Sequence, residues 1–175
     1  MSCDISRGRL EPCKDSVGGL NAVYFVNKGD LGAVTYDSTD TDVIDAVAGT
    51  PSAYKFDIKG ASTYTENITS SRENGTTTFE QVLELQLTKL TKEDHKTVKL
   101  LAFGSPTVLV EDNNGNVFVA GLEHGLDVSG GTIVSGASMG DMSGYTLTFS
   151  GMEKAPANFL GDTISAVGFT VTEGV

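Results

Sequence analysis

The two histidines and two cysteines are the side chains in this sequence best suited to metal binding or nucleophilic chemistry. Cys3, Cys13, His95 and His124 could together supply the nitrogen and sulfur ligands of a tetrahedral zinc site. None of the possible pairs has the short spacing that is usual for zinc ligands, so the sequence does not predict such a site. His95 stands between an acidic and a basic residue, which favours a solvated helix position over a catalytic one.

A second candidate is the run of carboxylate and amide side chains from Asp112 to Asn116, Asp-Asn-Asn-Gly-Asn. It has the ligand types of a calcium loop but lacks the ligand before the glycine and the distal glutamate. An asparagine-glycine pair favours a tight turn, so the run predicts a β-hairpin. The sequence contains neither a phosphate-binding glycine loop nor a Gly-x-Ser-x-Gly elbow. We therefore expect no catalytic residues, no cofactor and no metal.

The elements that must position these residues are mostly short strands, because apolar runs alternate with turn residues along the chain. About ten strands are predicted within residues 20–26, 31–36, 54–58, 62–69, 79–88, 107–110, 117–120, 132–138, 145–149 and 163–171, and residues 122–128 can continue the meander. Residues 31–36 are expected to pair with 20–26, and Gly130-Gly131 to interrupt a strand. In 79–88 the apolar side chains other than Val82 share one face with Gln81, whereas Val82 lies on the other face with Glu80 and Glu84.

One helix is predicted over residues 91–103. Thr91 can cap its start, Asp94 follows three residues later, and Gly104 and Pro106 end it. Residues 37–50 contain Val43, Ile44 and Val47 at helical spacing among aspartates, so we expect a short helix or an acidic loop there.

These elements predict a mainly β fold: a single antiparallel β-sandwich or barrel with one flanking α-helix. Residues 20–175 would form this one domain. Residues 1–19 are expected to form an irregular N-terminal arm that cannot bury enough apolar surface to order itself and lies against a neighbouring subunit. Residues 62–90 are expected to form a long hairpin whose polar tip, 70–76, either contacts a neighbouring subunit or caps two ordinary core strands.

The charge is strongly and unevenly acidic. The net charge is −11, and residues 105–175 hold eight acids against the single base Lys154. Such a chain should not bind a nucleic-acid backbone, because phosphates would be repelled. The acidity can also serve solubility alone. The start of the sequence is polar rather than signal-like, and no apolar stretch has the length of a membrane helix, so we expect no membrane partner.

Three stretches resemble small virion proteins of tailed phages of Bacteroidetes, including crAss-like phages. They are residues 9–25 (RLEPCKDSVGGLNAVYF), 110–126 (VEDNNGNVFVAGLEHGL) and 136–157 (GASMGDMSGYTLTFSGMEKAPA). The last two are also similar to late hairpins of tail-tube subunits. The resemblance implies a tail-tube-like β-sandwich in a cyclic ring of identical subunits, six-fold or a multiple of six. It leaves open whether the ring belongs to the tube, the neck or the head-completion region.

From this resemblance we expect a structural, non-enzymatic virion protein, assembled in the host bacterial cytoplasm with other tail or neck proteins. DNA would pass through its ring without sequence-specific binding. Several acidic side chains are predicted to face the lumen, namely Asp37, Asp40, Asp42, Asp45, Glu111, Asp112, Glu123, Asp127 and Asp141. Arg72, Glu73 and Asn74 are the predicted subunit contact at the hairpin tip. The alternative is a carbohydrate- or receptor-binding β module, which the absence of tryptophan disfavours.

Overall fold

The computed structural model describes residues 3–174, so the ends of the predicted arm and domain, residues 1–2 and 175, lie outside it. The strands are β1 Leu20–Val26, β2 Val34–Tyr36, β3 Val43–Val47, β4 Ser52–Asp57, β5 Thr63–Ser71, β6 Thr76–Thr88, β7 Thr107–Asp112, β8 Val117–Ala120, β9 Asp127–Val134, β10 Gly144–Glu153, β11 Asn158–Leu160 and β12 Thr170–Thr172. The helices are α1 Lys92–Phe103 and α2 Ile164–Val167, and a 3-10 turn covers Lys28–Asp30.

The strands form two sheets in a sandwich-like layout, which confirms the predicted mainly β fold. The large sheet has the order β12-β4-β1-β7-β8-β11-β3-β2, and the small sheet has the order β5-β6-β10-β9. In the described chain neither sheet closes into a barrel. The pairs β11–β3 and β12–β4 are parallel, so the expectation of a purely antiparallel fold is wrong for these two pairs.

The large sheet is buried on both faces. One face packs against the small sheet in a cluster that contains Val23, Phe25 and Phe149. The other face packs against α2 in a cluster that contains Tyr24 and Val26. Alternate residues of β1 therefore enter different clusters, which explains why this strand reads as an unbroken apolar run.

The predicted helix and the predicted tight hairpin are both confirmed. Thr91 caps α1 by accepting a hydrogen bond from the Asp94 backbone N–H at 3.0 Å. The turn between β7 and β8 is closed by Asp112, whose Oδ1 accepts the backbone N–H of Asn114 at 2.9 Å and of Asn116 at 2.8 Å. Gly115 adopts φ 85°, a conformation that glycine enters at little cost.

The expectation of a helix or acidic loop over residues 37–50 is wrong in part, because Val43–Val47 is strand β3. Its pairing with β2 skips Asp45: Thr35 faces Ala46, and Tyr36 faces Ile44. Such a bulge shifts the alternation of side chains by one residue. Ile44 and Val47 therefore enter the same buried cluster although three positions separate them, which imitates helical spacing.

The predicted partner of β1 is also wrong. β1 pairs with β4 and β7, whereas β2 pairs with β3. The turn at Lys28–Asp30 does not reverse the chain into a hairpin. Leu31 and Val34 instead pack at the edge of the cluster around α2.

Two further strand boundaries differ from expectation. β9 runs through Gly130-Gly131 instead of stopping there, and it begins only at Asp127. A Cβ at Gly131 would lie 2.5 Å from the Thr146 carbonyl oxygen, so glycine permits the close approach of β10. The predicted last strand, 163–171, is divided. Thr163 caps α2, and Gly168 at φ 120° ends it before β12.

Neither helix in the described part of the chain is long and apolar enough to cross a membrane.

Candidate functional site

The long hairpin predicted from the sequence is present as β5 and β6. Its register runs from Thr63 opposite Glu84 to Ser71 opposite Thr76. β10 pairs with β6 only as far as Glu153 opposite Phe79. Residues 69–78 therefore extend past the neighbouring strand, and we call this segment the hairpin overhang.

The hairpin overhang is polar and exposed. Its tip contains Arg72, Glu73 and Asn74, the predicted subunit contact, and all three are exposed. The backbone N–H of Asn74 donates to Ser71 Oγ at 3.3 Å, and Gly75 adopts φ 63° to close the turn. Ile68, at the base of the overhang, is 69% exposed although it lies in a strand. The hairpin thus outruns its sheet, and its role in a subunit contact stays a prediction.

The small sheet has two long edges without a neighbour in the described chain. β5 forms one edge with nine residues, and β9 forms the other with eight. On β9, Ile133 is 53% and Val134 37% exposed. Edge strands present unpaired N–H and C=O groups that can pair with another chain. These edges therefore offer backbone hydrogen bonds at both sides of the same sheet.

One face of the small sheet is also free. Leu83, Leu85 and Phe149 are buried against the large sheet. The alternate side chains, which form what we call the outer face, include Glu80, Glu84 and several threonines and serines of β5, β9 and β10. None of the four strands contains Lys or Arg. The outer face also includes Val82 and Met152, and the only charges that these four strands contribute to it are negative.

The predicted lumen-facing aspartates of residues 37–45 lie around the turn from β2 to β3. Asp37 accepts the backbone N–H groups of Thr39 at 2.6 Å and Asp40 at 3.1 Å, and these bonds hold the pKa of the Asp37 carboxyl below its ordinary value. Asp40 accepts the N–H of Asp42 at 3.0 Å. Asp45 is exposed at the bulge of β3. The carboxylates of Asp37 and Asp40 therefore stabilise the turn.

Glu111 and Asp112 lie at the C-terminal end of β7, at the end of the sheet opposite to the β2–β3 turn. Glu111 accepts hydrogen bonds from Asn21 Nδ2 at 2.9 Å and from the Tyr24 hydroxyl at 3.0 Å. Burial and this neighbouring carboxylate raise the pKa of Tyr24. Partial burial raises the pKa of Asp112, but hydrogen bonds from Asn116 and Asn114 outweigh it, so the net pKa lies below the ordinary value. Both side chains hold the entry of β1 and the β7–β8 turn.

The other three predicted lumen residues lie in or beside loops. Asp127 accepts a hydrogen bond from the Ser105 hydroxyl. Asp141 accepts the backbone N–H groups of Ala137 at 2.9 Å and Ser138 at 2.8 Å, which lower its pKa. Glu123 lies in the loop between β8 and β9. The nine acids are thus divided among separate turns, loops and strands, and their orientation toward a lumen stays a prediction.

Glu123 belongs to the one group of three potential metal ligands in residues 3–174, with His124 and Glu153. Cys3, Cys13 and His95 are not part of it. Buried Glu153 accepts the His124 backbone N–H at 2.9 Å and contacts its ring Nδ1 at 3.1 Å. Glu123 pairs with Lys154 at 3.5 Å. Each carboxylate already has a partner within the chain, so the geometry does not call for an ion.

Two polar residues of the small sheet connect it to the rest of the fold. The buried amide of Gln81 accepts the Gly121 backbone N–H at 2.8 Å. Glu66 accepts the Tyr64 hydroxyl at 2.6 Å and the Ala157 backbone N–H at 3.0 Å. Burial, followed by the bond to Glu66, raises the pKa of Tyr64. The Gln81 contact has a sequence signal, because a glutamine lies on an otherwise apolar strand face. Nothing in the local sequence predicts the contact of Glu66 with Ala157.

No protein-family model matches the chain, and no curated protein or solved structure is significantly similar to it.

Proposed function

We propose that the chain is a structural subunit that assembles with identical copies into a closed ring of a tailed-phage tube or neck. The observation that carries the proposal is the incomplete small sheet, which has a free edge at β5 and another at β9. If β5 of one copy pairs with β9 of the next, each copy covers one edge of each of its two neighbours. Closure of the ring then leaves no exposed edge in the small sheets.

The outer face of the small sheet is suited to line the channel through such a ring. The opposite face of the small sheet is buried against the large sheet, so only the outer face can line the interior. A six-fold ring, the symmetry implied by the resemblance, would join 24 strands from the four of each copy. Glu80 and Glu84 would supply twelve carboxylates and no cation to the wall. A wall of this charge would not bind DNA phosphates.

This arrangement changes which acids we propose for the lumen. Glu80 and Glu84 belong to the small sheet, as does the predicted Asp127, whereas the other eight acids predicted from the sequence lie outside its strands. The hairpin overhang would project past the sheet toward the next ring or another tail or neck protein. The virion location and assembly in the host bacterial cytoplasm rest on the resemblance of residues 9–25, 110–126 and 136–157.

The test is the oligomeric state of the purified full chain, measured by light scattering and negative-stain images. Wild type should form closed rings. Ile133→Lys on β9 and Ile68→Lys on β5 should yield folded monomers, because a buried lysine at either edge opposes pairing. The matched control is Met139→Lys, in the loop between β9 and β10, where an exposed methionine lies outside both edges. The control should form rings as wild type does.

A wild-type chain that stays monomeric at high concentration would overturn the proposal, as would rings that persist in both edge variants. Rings of five-fold symmetry would contradict the six-fold part. A monomer that binds glycans on an array would favour the alternative carbohydrate-binding module.

A further inference from the structure

An apolar groove lies between α1 and the strands β1 and β4. Its volume is about 510 Å³, and its walls include Phe25, Tyr54, Phe56 and Leu101. Leu100 forms part of its rim and is 62% exposed. A contiguous cleft shares Tyr54 and Phe56 with this groove and adds four acids, Asp57, Glu93, Asp94 and Glu173, against two lysines. Lys28 also lines the groove, and Lys55 pairs with Asp57 at 3.4 Å and with Glu173 at 3.5 Å, so the negative side of the cleft is formed by Glu93 and Asp94.

The N-terminal arm has the complementary composition. Residues 3–19 are exposed throughout and contain no helix or strand. Ile5 is 94% and Leu10 91% exposed, and Arg7 and Arg9 lie between them. Residues 5–10, which lie between Asp4 and Glu11, carry two large apolar side chains and a net charge of +2 and so match an apolar groove with acidic residues beside it. Exposed apolar side chains in a segment without internal structure are typical of a docking sequence.

We propose that residues 5–10 of one copy bind in this groove of a neighbouring copy. Ile5 or Leu10 would enter the apolar part, and the arginines would lie against the acidic cleft. This inference rests on the self-assembly proposed above, and it adds a contact that the sheet edges do not provide.

None of residues 3–19 lines the groove of their own chain, and the base of the arm is anchored at the other end of β1. Asn114 holds both backbone groups of Val17, at 2.9 and 2.7 Å, and Asn113 Nδ2 donates to the Gly18 carbonyl at 2.9 Å. These bonds hold the base of the arm at the β7–β8 turn. Leu20 pairs with Asp112 there, whereas the groove lies at the other end of β1, beside Asn27. Seven residues of strand separate the two ends by roughly 20 Å.

A contact between opposite ends of two copies is heterologous, because the surface used by one copy differs from the surface used by the other. Repetition of such a contact produces rings when the rotation closes and filaments when it does not. A one-way arm contact is therefore compatible with a ring or a stacked tube, whereas a reciprocal exchange of two arms would close a two-fold dimer.

The native cysteines allow a direct test on the full chain. Cys3 and Cys13 are the only cysteines, both are exposed, and they flank residues 5–10. They would be labelled with a maleimide benzophenone, and labelled ¹⁴N protein would be mixed with unlabelled ¹⁵N protein before irradiation. Mass spectrometry should then find light arm peptides joined to heavy peptides that contain residues 54–56 or 97–106. Arm links confined to light peptides, or mixed links to other surfaces, would overturn the inference.

Two variants test the chemistry of the contact. Leu100→Glu should lower the yield of mixed links at least about tenfold, since it places a charge at the rim of the groove beside acidic residues. Ile5→Asp with Leu10→Asp should do the same and cannot disturb the folded domain, because both positions are exposed in the arm. Met139→Glu, at an exposed position that lines neither the groove nor the cleft, should leave the yield unchanged. Equal yields in all three variants would contradict the inference.

Light scattering on the same samples separates this inference from the proposed function. Rings without mixed links to the groove would overturn arm docking and leave the ring proposal intact. Monomers with links confined to single chains would overturn both.

Discussion

The two sheets of this protein differ in how much of their surface the single chain covers. The large sheet packs on both faces, and its end strands β12 and β2 have only three residues each. The small sheet packs on one face, and its end strands have nine and eight residues. Short edge strands limit unwanted pairing, whereas long ones invite it. The large sheet is thus complete within one chain, and the small sheet is the part that another copy can complete.

The strongest test of this contrast compares the two faces of β10. Phe149→Ala removes a fully buried ring that lies 5.3 Å from Phe25 between the sheets. We expect a loss of about 3–5 kcal/mol in the free energy of unfolding, since truncating a core phenylalanine leaves a cavity. Thr148→Ala, the neighbouring outer-face position, should change it by less than about 0.5 kcal/mol. Urea unfolding monitored by circular dichroism measures both, and similar losses would contradict the assignment of a free outer face.

A second comparison uses the faces of β6. Gln81→Ala removes the acceptor of the Gly121 backbone N–H, and both residues are buried. An unsatisfied buried donor costs about 1–3 kcal/mol, so we expect a loss of that size in the free energy of unfolding. Glu84→Ala on the exposed face is the control and should have little effect. If the two variants unfold at the same urea concentration, the Gln81 bond does not hold the sheets together.

Local signals predicted much of this architecture. The cap at Thr91, the turn at Asp112 and the alternation within β6 involve residues close in sequence, and all three are confirmed. The errors arise where distant pairing decides the structure. The bulge at Asp45 gives β3 an apparent helical period, and β2 finds its partner in β3 rather than in the preceding strand. Sequence alone does not encode these choices locally.

In the candidate site, too, features set by residues close in sequence could be predicted, and features set by distant pairing could not. The length of the hairpin and the polar face of β6 could be predicted because both follow from alternation within one segment. The free edge at β9 could not, since Gly130-Gly131 reads as a break and only the close approach of β10 shows why glycine is needed there. The grouping of acids in the sequence also gave no information about their positions, which depend on the order of strands in each sheet.

The outer face gives a third prediction, in which binding changes while stability does not. Glu80→Lys with Glu84→Lys should alter the free energy of unfolding by less than about 0.5 kcal/mol at each position, since surface substitutions rarely do more. It should create DNA retention that falls steeply with salt, because each added cation can displace phosphate counterions. Gel shifts at two salt concentrations measure this for the assembled protein. Asp40→Lys with Asp42→Lys, outside the small sheet, is the control and should retain less DNA. If both variants retain DNA equally, the outer face is not the surface that meets DNA.

The smallest expected effect concerns the turn that holds the large sheet and the arm. In the folded chain the pKa of Asp112 lies below its ordinary value of 3.8. The charged carboxylate therefore stabilises the folded state above pH 3.8, and this stabilisation is lost as the pH falls through the folded pKa. Asp112→Asn should therefore be less stable than wild type at pH 7, and the difference should shrink in strongly acidic buffer, where both side chains are neutral. Asn113→Ala is a control in the same turn. Its loss of stability should not depend on pH, because neither asparagine nor alanine titrates. Urea midpoints for the three proteins at neutral and acidic pH would decide the matter. A deficit for Asp112→Asn that stays constant with pH would show that geometry rather than charge stabilises this turn.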